Sequence, residues 1–509
     1  MKKSIVILIV FGLFISCNDL EEEVYSSFLS SNFYQNEAQL QSQNLGIYNT
    51  FKHVQWERYN YQFLSMPGQY STTRLGSDVW WKAPIYGIHE TQNASQLNSI
   101  WTLAYQAISR ANTVIKYAPT SPLYENDLEL VDQYIAEAKW LRAYTYFTLV
   151  QMFGDVPLYK EPVETPDNNV LYRSRTASEE IYELMVEDLK FAVEKLPVIW
   201  VNTPSGRVTK GAGNFLLGKI YLTMAGLPLQ KTEHYQDAID ILLPIANNPG
   251  DFNLALLSDW KSVFDKDNEE GNQEIIFALS NTYESGYGGI MPFFTNPLKS
   301  SFGGGNGPNY SWAYDYELVN LYEDTDVRKQ EGFTFSYVRT NNGATVNFNP
   351  NPTNPNGSAY AGRNGICGTK YLDVTGNGNN IHEKDVIIYR YVDTFLMLAE
   401  AYLETNNPSD ALTYLNIARQ RVNASIVTQT DQAVLRNIVR TERYMELYGE
   451  YQEVFDMRRW GTAKDVFLSH PVREWRASNT PWDDKYLLYP LPIEQISANP
   501  NLLPNNPGY

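Results

Sequence analysis

The chain has 509 residues, 43% of them hydrophobic and 14% aromatic, with 37 Tyr and 11 Trp. Its length allows one large or two to three ordinary domains, and its hydrophobic share is that of a globular chain. A formal charge of −18, from 40 basic against 58 acidic residues, opposes nucleic acid and other polyanions on average, although a local basic pocket can outvote the mean.

Lys2 and Lys3 precede an apolar run from Ile5 to Ile15, too short to span a bilayer and of signal-peptide length. The run ends at Ser16-Cys17, a small residue before a Cys, as a lipoprotein signal requires; Phe14 stands where Leu is usual. Residues 1–16 are therefore expected to be a lipoprotein signal peptide, Cys17 the lipidation site and 17–31 a tether carrying Asp19 and Glu21 to Glu23. An ordinary secretory signal with an incidental Cys is the alternative. Without Lys2 and Lys3, 38 of the 40 basic residues face 58 acidic ones, a net charge near −20. With Cys17 acylated, Cys367 is the one remaining thiol and no intrachain disulfide can form.

Helical periodicity dominates the first half. A first helix is predicted over 32–53, followed by residues 55–89, which lack period and are rich in Tyr, Trp, Gly and Pro. A long helix is predicted from Gln96 to Ala118, with Ile100, Leu103, Ala107, Ile108 and Ala111 on one stripe and Pro119 as its stop. Leu128 to Phe153 follows, closed by Gly154 with Pro157 beyond. Ser178, with Glu179 and Glu180, opens another helix that ends at Pro197. Residues 206–212 lead into NFLLGKIYLTMA, and Tyr235 to Ala246 completes that pair.

Residues 249–384 are rich in Gly, Asn and Pro, and short strand-like runs such as Glu274 to Leu279 interrupt them. Long irregular stretches within a compact domain are usually functional loops or disorder. From Val386 to Asn423 the pattern predicts two amphipathic helices joined at Asn406-Asn407-Pro408. Ala399, Ala401, Ala411 and Ala418 allow close approach there, and Leu396, Leu403, Leu412 and Leu415 fill the seam. A pair of about 34 residues with this Ala/Tyr/Leu pattern is the signature of a tetratricopeptide unit. Ile438 to Gly461 reads as one charged, aromatic helix.

Five segments in order resemble the SusD/RagB family of outer-membrane nutrient-binding lipoproteins. They are the Cys17 lipobox, LRAYTYFTLVQMFGDVPL, the 206–225 segment, the stretch from Arg390 to Trp460, and LYPLPIEQISANPNLLPNNPGY at the end. The late stretch carries Arg390-Tyr391-Val392-Asp393, Ala399-Glu400-Ala401, Arg440, Glu442-Arg443, Glu446-Leu447 and Asp456 to Trp460. Tyr451 and Glu453 depart from the family's usual Gly and Arg and bear on local packing. The resemblance implies a mostly α, SusD-like fold: a tetratricopeptide-type helix-pair scaffold with large irregular loop insertions and a few short strands. It implies a single domain over 32–509, with scaffold at about 32–248 and 385–460, a ligand-side insertion at about 249–384, and a C-terminal segment at 461–509. It also implies an outer-membrane, lipid-anchored protein, facing the cell exterior as its acidic export-like tether suggests, that hands a captured oligosaccharide or polysaccharide to a SusC-like TonB-dependent transporter.

No catalytic constellation stands out. His53, His89, His234, His382 and His470 are dispersed and make no HExxH or Cys/His spacing, and no G-x-S-x-G elbow is present. Asp373 to Lys384 faintly resembles a calcium loop but lacks Glu at the last ligand position, so an Asn-Gly turn is the plainer reading and no cofactor is expected. Loop aromatics carry the better signal, because sugar rings present C–H faces to indole and phenol while Asn, Asp, Arg and Lys take the hydroxyls. Arg74, Asp78, Trp80, Trp81 and Lys82 offer both kinds of group within nine residues, and Tyr283, Tyr287, Trp312 and Tyr314 form a second cluster. Satellite-core aromatics that support loops are the bland alternative for each. Trp101, Trp140, Trp200 and Trp460 lie in or beside helices and read as core. The expected function is glycan capture without bond breaking, with peptide capture as the alternative and a surface glycosidase behind both. Asp78 is the one acid near the Trp pair, and a glycosidase needs two.

Overall fold

The structure, a computed structural model, describes residues 34–52, 54–65, 67–73, 95–165, 167–201, 205–282, 288–296, 300, 312–347, 365–373, 382–469 and 481–509. Its scaffold is a stack of helices, each packed on the next. They are α1 (Glu37–Phe51), α2 (Val54–Leu64), α3 (Ser95–Tyr117), α4 (Leu128–Phe153), α5 (Ser178–Lys195), α6 (Lys210–Ala225) and α7 (His234–Asn247), then α8 (Val392–Glu404), α9 (Pro408–Arg421) and α10 (Gln432–Leu447). The shorter α11 (Glu453–Arg459), α12 (Ala463–Ser469) and α13 (Ile493–Ala498) follow. Helix ends obey local chemistry. Asn36 Oδ1 accepts the Gln39 N–H at the start of α1, Asp127 caps α4, and Gly154 at φ 69° closes it.

The α8–α9 seam is built as its small residues predict. Ala399, Ala401, Ala411, Ala418, Leu396, Leu403 and Leu415 are all buried, and the Tyr402 and Tyr414 rings stack at 5.6 Å. Pro408 occupies the first turn of α9 while Asn407 accepts the Asp410 N–H. In α6, a Cβ on Gly218 would stand 2.5 Å from Leu242 Cγ, so glycine there sets how closely α6 and α7 approach.

Three expectations need correction. The aperiodic 55–89 stretch contains α2, whose buried positions mix the polar Glu57 and Asn60 with Trp56, Tyr59, Tyr61 and Phe63, so its inward face does not read as apolar. Val386 to Arg390 is a strand, β8, rather than helix; its β-branched run is buried on both faces. Residues 438–461 are two helices, broken by a turn with Gly449 at φ 74° and Tyr451 at φ 64°. Ser178 opens α5 as expected, and its N–H donates to Asp155 Oδ1 at 2.8 Å.

Among the described residues, short strands make three small sheets. β1 (Ser71–Thr73), β3 (Trp312–Asp315), β7 (Gly365–Gly368) and β4 (Phe333–Thr334) form one in the order β1-β3-β7-β4. β2 (Ile275–Leu279) pairs with β8 (Val386–Arg390), and β5 (Ser336–Val338) pairs with β6 (Thr345–Asn347). The β2–β8 pair ties the loop-rich region to the helices: Phe277 and Tyr389 pack with Tyr144 and Trp140 of α4. Much of the aromatic excess is spent on this core, where Trp56, Trp140, Trp260, Tyr61, Tyr134 and Tyr146 are among the largest fully buried side chains.

Candidate functional site

The four-stranded sheet carries Trp312 and Tyr314 of the second candidate cluster and ends, on β1, at the residue before Arg74. Antiparallel pairing sets Ser71 opposite Tyr314 and Thr73 opposite Trp312. The chain runs on from Thr73 into 74–94, and 301–311 runs into Trp312, so both segments join the sheet at the same edge. On its other side β3 pairs with β7, placing Gly365, which follows 348–364, opposite Asp315. Gly289 and His382 form an isolated antiparallel bridge. Segments hundreds of residues apart in sequence are thus rooted on one small platform.

Arg74, Asp78, Trp80, Trp81 and Lys82 lie outside the described residues, as do Tyr283, Tyr287 and Cys17. Trp312 is placed by its backbone as the first residue of β3. Tyr314 is 5% exposed, its hydroxyl 2.6 Å from that of Tyr61 and its ring packed edge-on against Tyr448 at 4.9 Å. It therefore supports the platform from below. Of the nearby aromatics, Tyr316 is half-buried against Phe335. For the calcium-like stretch, Asp373 and His382 face each other at 3.4 Å and Lys384 pairs with Glu269 at 2.7 Å, while 374–381 lie outside the described residues. Among the described residues no cluster of three His, Cys, Asp or Glu side chains is arranged to hold a metal.

Beneath the platform sits a buried ionic lattice. Arg390, fully buried on β8, donates to both Glu450 oxygens at 2.8 Å, to Glu446 Oε1 at 2.8 Å, to the Glu446 carbonyl at 2.9 Å and to Glu274 at 3.1 Å. Arg328 and Arg421 also reach Glu446, at 2.7 and 2.6 Å. Burial alone would raise the Glu446 pKa, but the guanidinium groups of Arg421, Arg390 and Arg328 outweigh it and hold the carboxyl far below the usual range. Lys370 inserts its ammonium between the Glu446 and Tyr448 carbonyls and Glu450, 4.0 Å over the Tyr448 ring; burial lowers its pKa to about 8. A second lattice joins α8, α10 and α11, where Arg443 holds Asp393 and Asp456, and Arg459 holds Asp456 and Glu400. The Arg and Glu residues of the late motif are thus core ties between helices and the loop-bearing half. Lys370, Arg328 and Glu274 belong to the same lattice but lie in irregular sequence, where nothing marks a charge as buried.

Glu57 and Glu453 make no ion pair at salt-bridge distance among the described residues. Glu57 on α2 accepts the Ile290 and Met291 N–H groups at 3.1 and 3.0 Å. Glu453 accepts the Gly449 N–H at 2.6 Å, while its Oε2 has no hydrogen-bond partner. Burial pushes both pKa values up to about 7, only partly offset by the backbone donors. Each clamps a segment leading to the platform: Met291 follows 283–289, and the Gly449 turn abuts Tyr314 so closely that a Cβ there would strike its hydroxyl.

Comparison with known proteins gives one consistent result. Residues 259–509 match the family model described as "SusD family", and residues 20–222 match one described as "Starch-binding associating with outer membrane". The chain is 26% identical over its whole length to the whole of SusD-like protein P2 from Formosa agariphila. A SusD homolog from Bacteroides thetaiotaomicron superposes with a TM-score of 0.78 at 20% identity, covering 94% of this chain and 98% of that one. A structure described as a laminarin binding SusD-like protein superposes at 0.74 with 21% identity, covering 94% of this chain and all of that one.

Proposed function

The chain belongs to the SusD/RagB family, and from that premise we propose that it captures a glycan at the cell surface on the edge of the β1–β3 sheet. The observation that supports the reading is the pairing of Thr73 with Trp312, which sets the residue before the Arg74–Lys82 cluster beside the strand that carries Trp312 and Tyr314. In this reading the aromatic rings and hydroxyl-binding polar groups of the two sequence regions act together, as sugar recognition requires. The glycan named for the laminarin-binding relative supports the ligand class. In this reading Cys17 carries the lipid, residues 17–31 are the tether and 32–509 one domain, and the family's TonB-dependent transporter receives the ligand. No helix among the described residues is long and apolar enough to cross a membrane, and lipidation of Cys17 supplies the outer-membrane anchor. The protein breaks no bond and acts by binding.

Affinity electrophoresis of the chain from Asn18 onward, in gels containing laminarin, xyloglucan or starch, tests this. Retardation by at least one polymer, reduced in a Trp80→Ala/Trp81→Ala variant, is expected. Migration unaffected by every glycan, with retention on immobilised peptides, would transfer the function to peptide capture.

A further inference from the structure

A second surface, apart from the sheet, has the composition of a sugar site. Between α3, the 154–176 connection and α13 lies a cleft of about 400 Å³, within the size range of small-ligand sites. None of its lining residues belongs to β1, β3 or β7. Trp101 and Tyr105 line one side with their rings 5.1 Å apart, and Tyr159 meets Tyr105 edge-on at 5.8 Å.

Opposite them the backbone around Tyr172 is fixed from three directions. The Tyr159 hydroxyl donates to the Leu171 carbonyl at 2.7 Å, Arg173 to the Leu158 carbonyl at 2.9 Å, and Asn501 Nδ2 to the Tyr172 carbonyl at 2.7 Å. The Tyr172 side chain gains nothing from this. Its ring is 38% exposed and joins none of the hydrophobic clusters, and among the described residues it meets no aromatic or cationic partner and its hydroxyl has no hydrogen bond. A rigid mount under an unpartnered phenol is costly as structure and apt as a stacking platform.

The polar groups around the cleft are similarly uncommitted. Gln106 and Ser109, three residues apart on one face of α3, have side chains without partners among the described residues. Gln495 spends its amide N–H on Asn98 Oδ1 at 2.8 Å, which leaves its carbonyl oxygen. No Lys or Arg lines the cleft, and its one charged lining residue is Glu161. That set suits hydroxyls and C–H faces and repels an anion.

We propose that this cleft is a second saccharide subsite that takes a neutral sugar unit, with Tyr172 as the stacking platform and Gln106, Ser109 and Gln495 as hydroxyl partners. The inference rests on the glycan-capture reading and extends it. Two subsites on one chain raise the apparent affinity for a polymer long enough to reach both, with little effect on a short oligomer.

Affinity electrophoresis against laminarin, xyloglucan and starch tests it with four chains: wild type, Tyr172→Ala, Trp80→Ala/Trp81→Ala and the triple variant. Tyr172 is exposed, so its variant is expected to melt with the wild type. The expected result is a loss of roughly fivefold to tenfold in polymer affinity for Tyr172→Ala, and abolition in the triple variant. If a polymer retards the wild type and Tyr172→Ala migrates identically, the subsite is overturned while glycan capture stands. If no polymer retards the wild type, the capture reading itself falls and takes the subsite with it. If a casein hydrolysate relieves the Tyr172-dependent retardation, the saccharide class is wrong and the cleft belongs to peptides.

Discussion

Replacing Arg390 with Met tests whether the buried lattice holds the loop-bearing half to the helices. The side chain is fully buried and makes five hydrogen bonds to Glu450, Glu446 and Glu274 or their backbone. Met keeps the volume and removes the charge, leaving three buried carboxylates short of one cation. They are not stripped entirely: Lys370 still reaches Glu450, and Arg421 still reaches Glu274 and Glu446. Removing one member of a buried ion pair costs about 3–5 kcal/mol, and the remaining cations place the expected loss toward the lower end. Arg436→Met is the control, since its pair with Glu404 is partly exposed (29% and 18%) and is worth at most about 1 kcal/mol. Urea titration followed by tryptophan fluorescence reads both, because urea does not screen the exposed pair as guanidinium would. A shared midpoint for the two variants would refute the argument that burial, rather than the mere presence of an ion pair, makes Arg390 indispensable.

Glu453 gives the pH dependence a sign. Its folded pKa, pushed up to about 7 from an ordinary 4.5, means that the native state holds a proton that the unfolded chain has lost. Its contribution is therefore full below about pH 4.5 and is lost as pH rises through 7, so stability falls across that window. A Glu453→Gln variant should lack this part of the slope and exceed the wild type at pH 8 by on the order of 2 kcal/mol, read from urea midpoints at several pH values. Identical pH profiles would show that the carboxylate finds its charge compensated. Tyr314→Phe should cost about 1 kcal/mol by removing the Tyr61 hydroxyl contact and leave glycan retardation intact; lost retardation with an unchanged melt would make Tyr314 a ligand contact after all.

How much of this could be read from the sequence depends on whether a residue's role is periodic. The α8–α9 seam announces itself because small and large apolar residues recur at helical spacing, and Leu128 to Phe153 because Gly154 and Pro157 close it. α2 hides because the buried polar residues Glu57 and Asn60 interrupt its apolar positions, and β8 hides because a short apolar run fits helix and strand alike. The break at 448–452 was written in Gly449, yet Tyr451 at φ 64° obscures it, since a bulky residue in that region is tolerated only when its surroundings over-determine it. Here Ser65 accepts the Tyr451 N–H at 2.9 Å, and the Tyr451 hydroxyl donates to the Glu57 carbonyl at 3.1 Å.

The site resists sequence reading for a related reason. Which aromatic faces a ligand is set by strand register and by what lies beneath, and Tyr314 is held from below by Tyr61 and Tyr448, which appear in sequence only as distant tyrosines. Tyr172 escaped notice because it belongs to no cluster. Its signal is the contrast between a backbone held by Tyr159, Arg173 and Asn501 and a ring held by nothing, and that contrast exists only once residues 159, 172 and 501 are brought together. An aromatic cluster in a sequence is thus a weaker pointer to a sugar than a single ring whose mount is rigid and whose face is unclaimed.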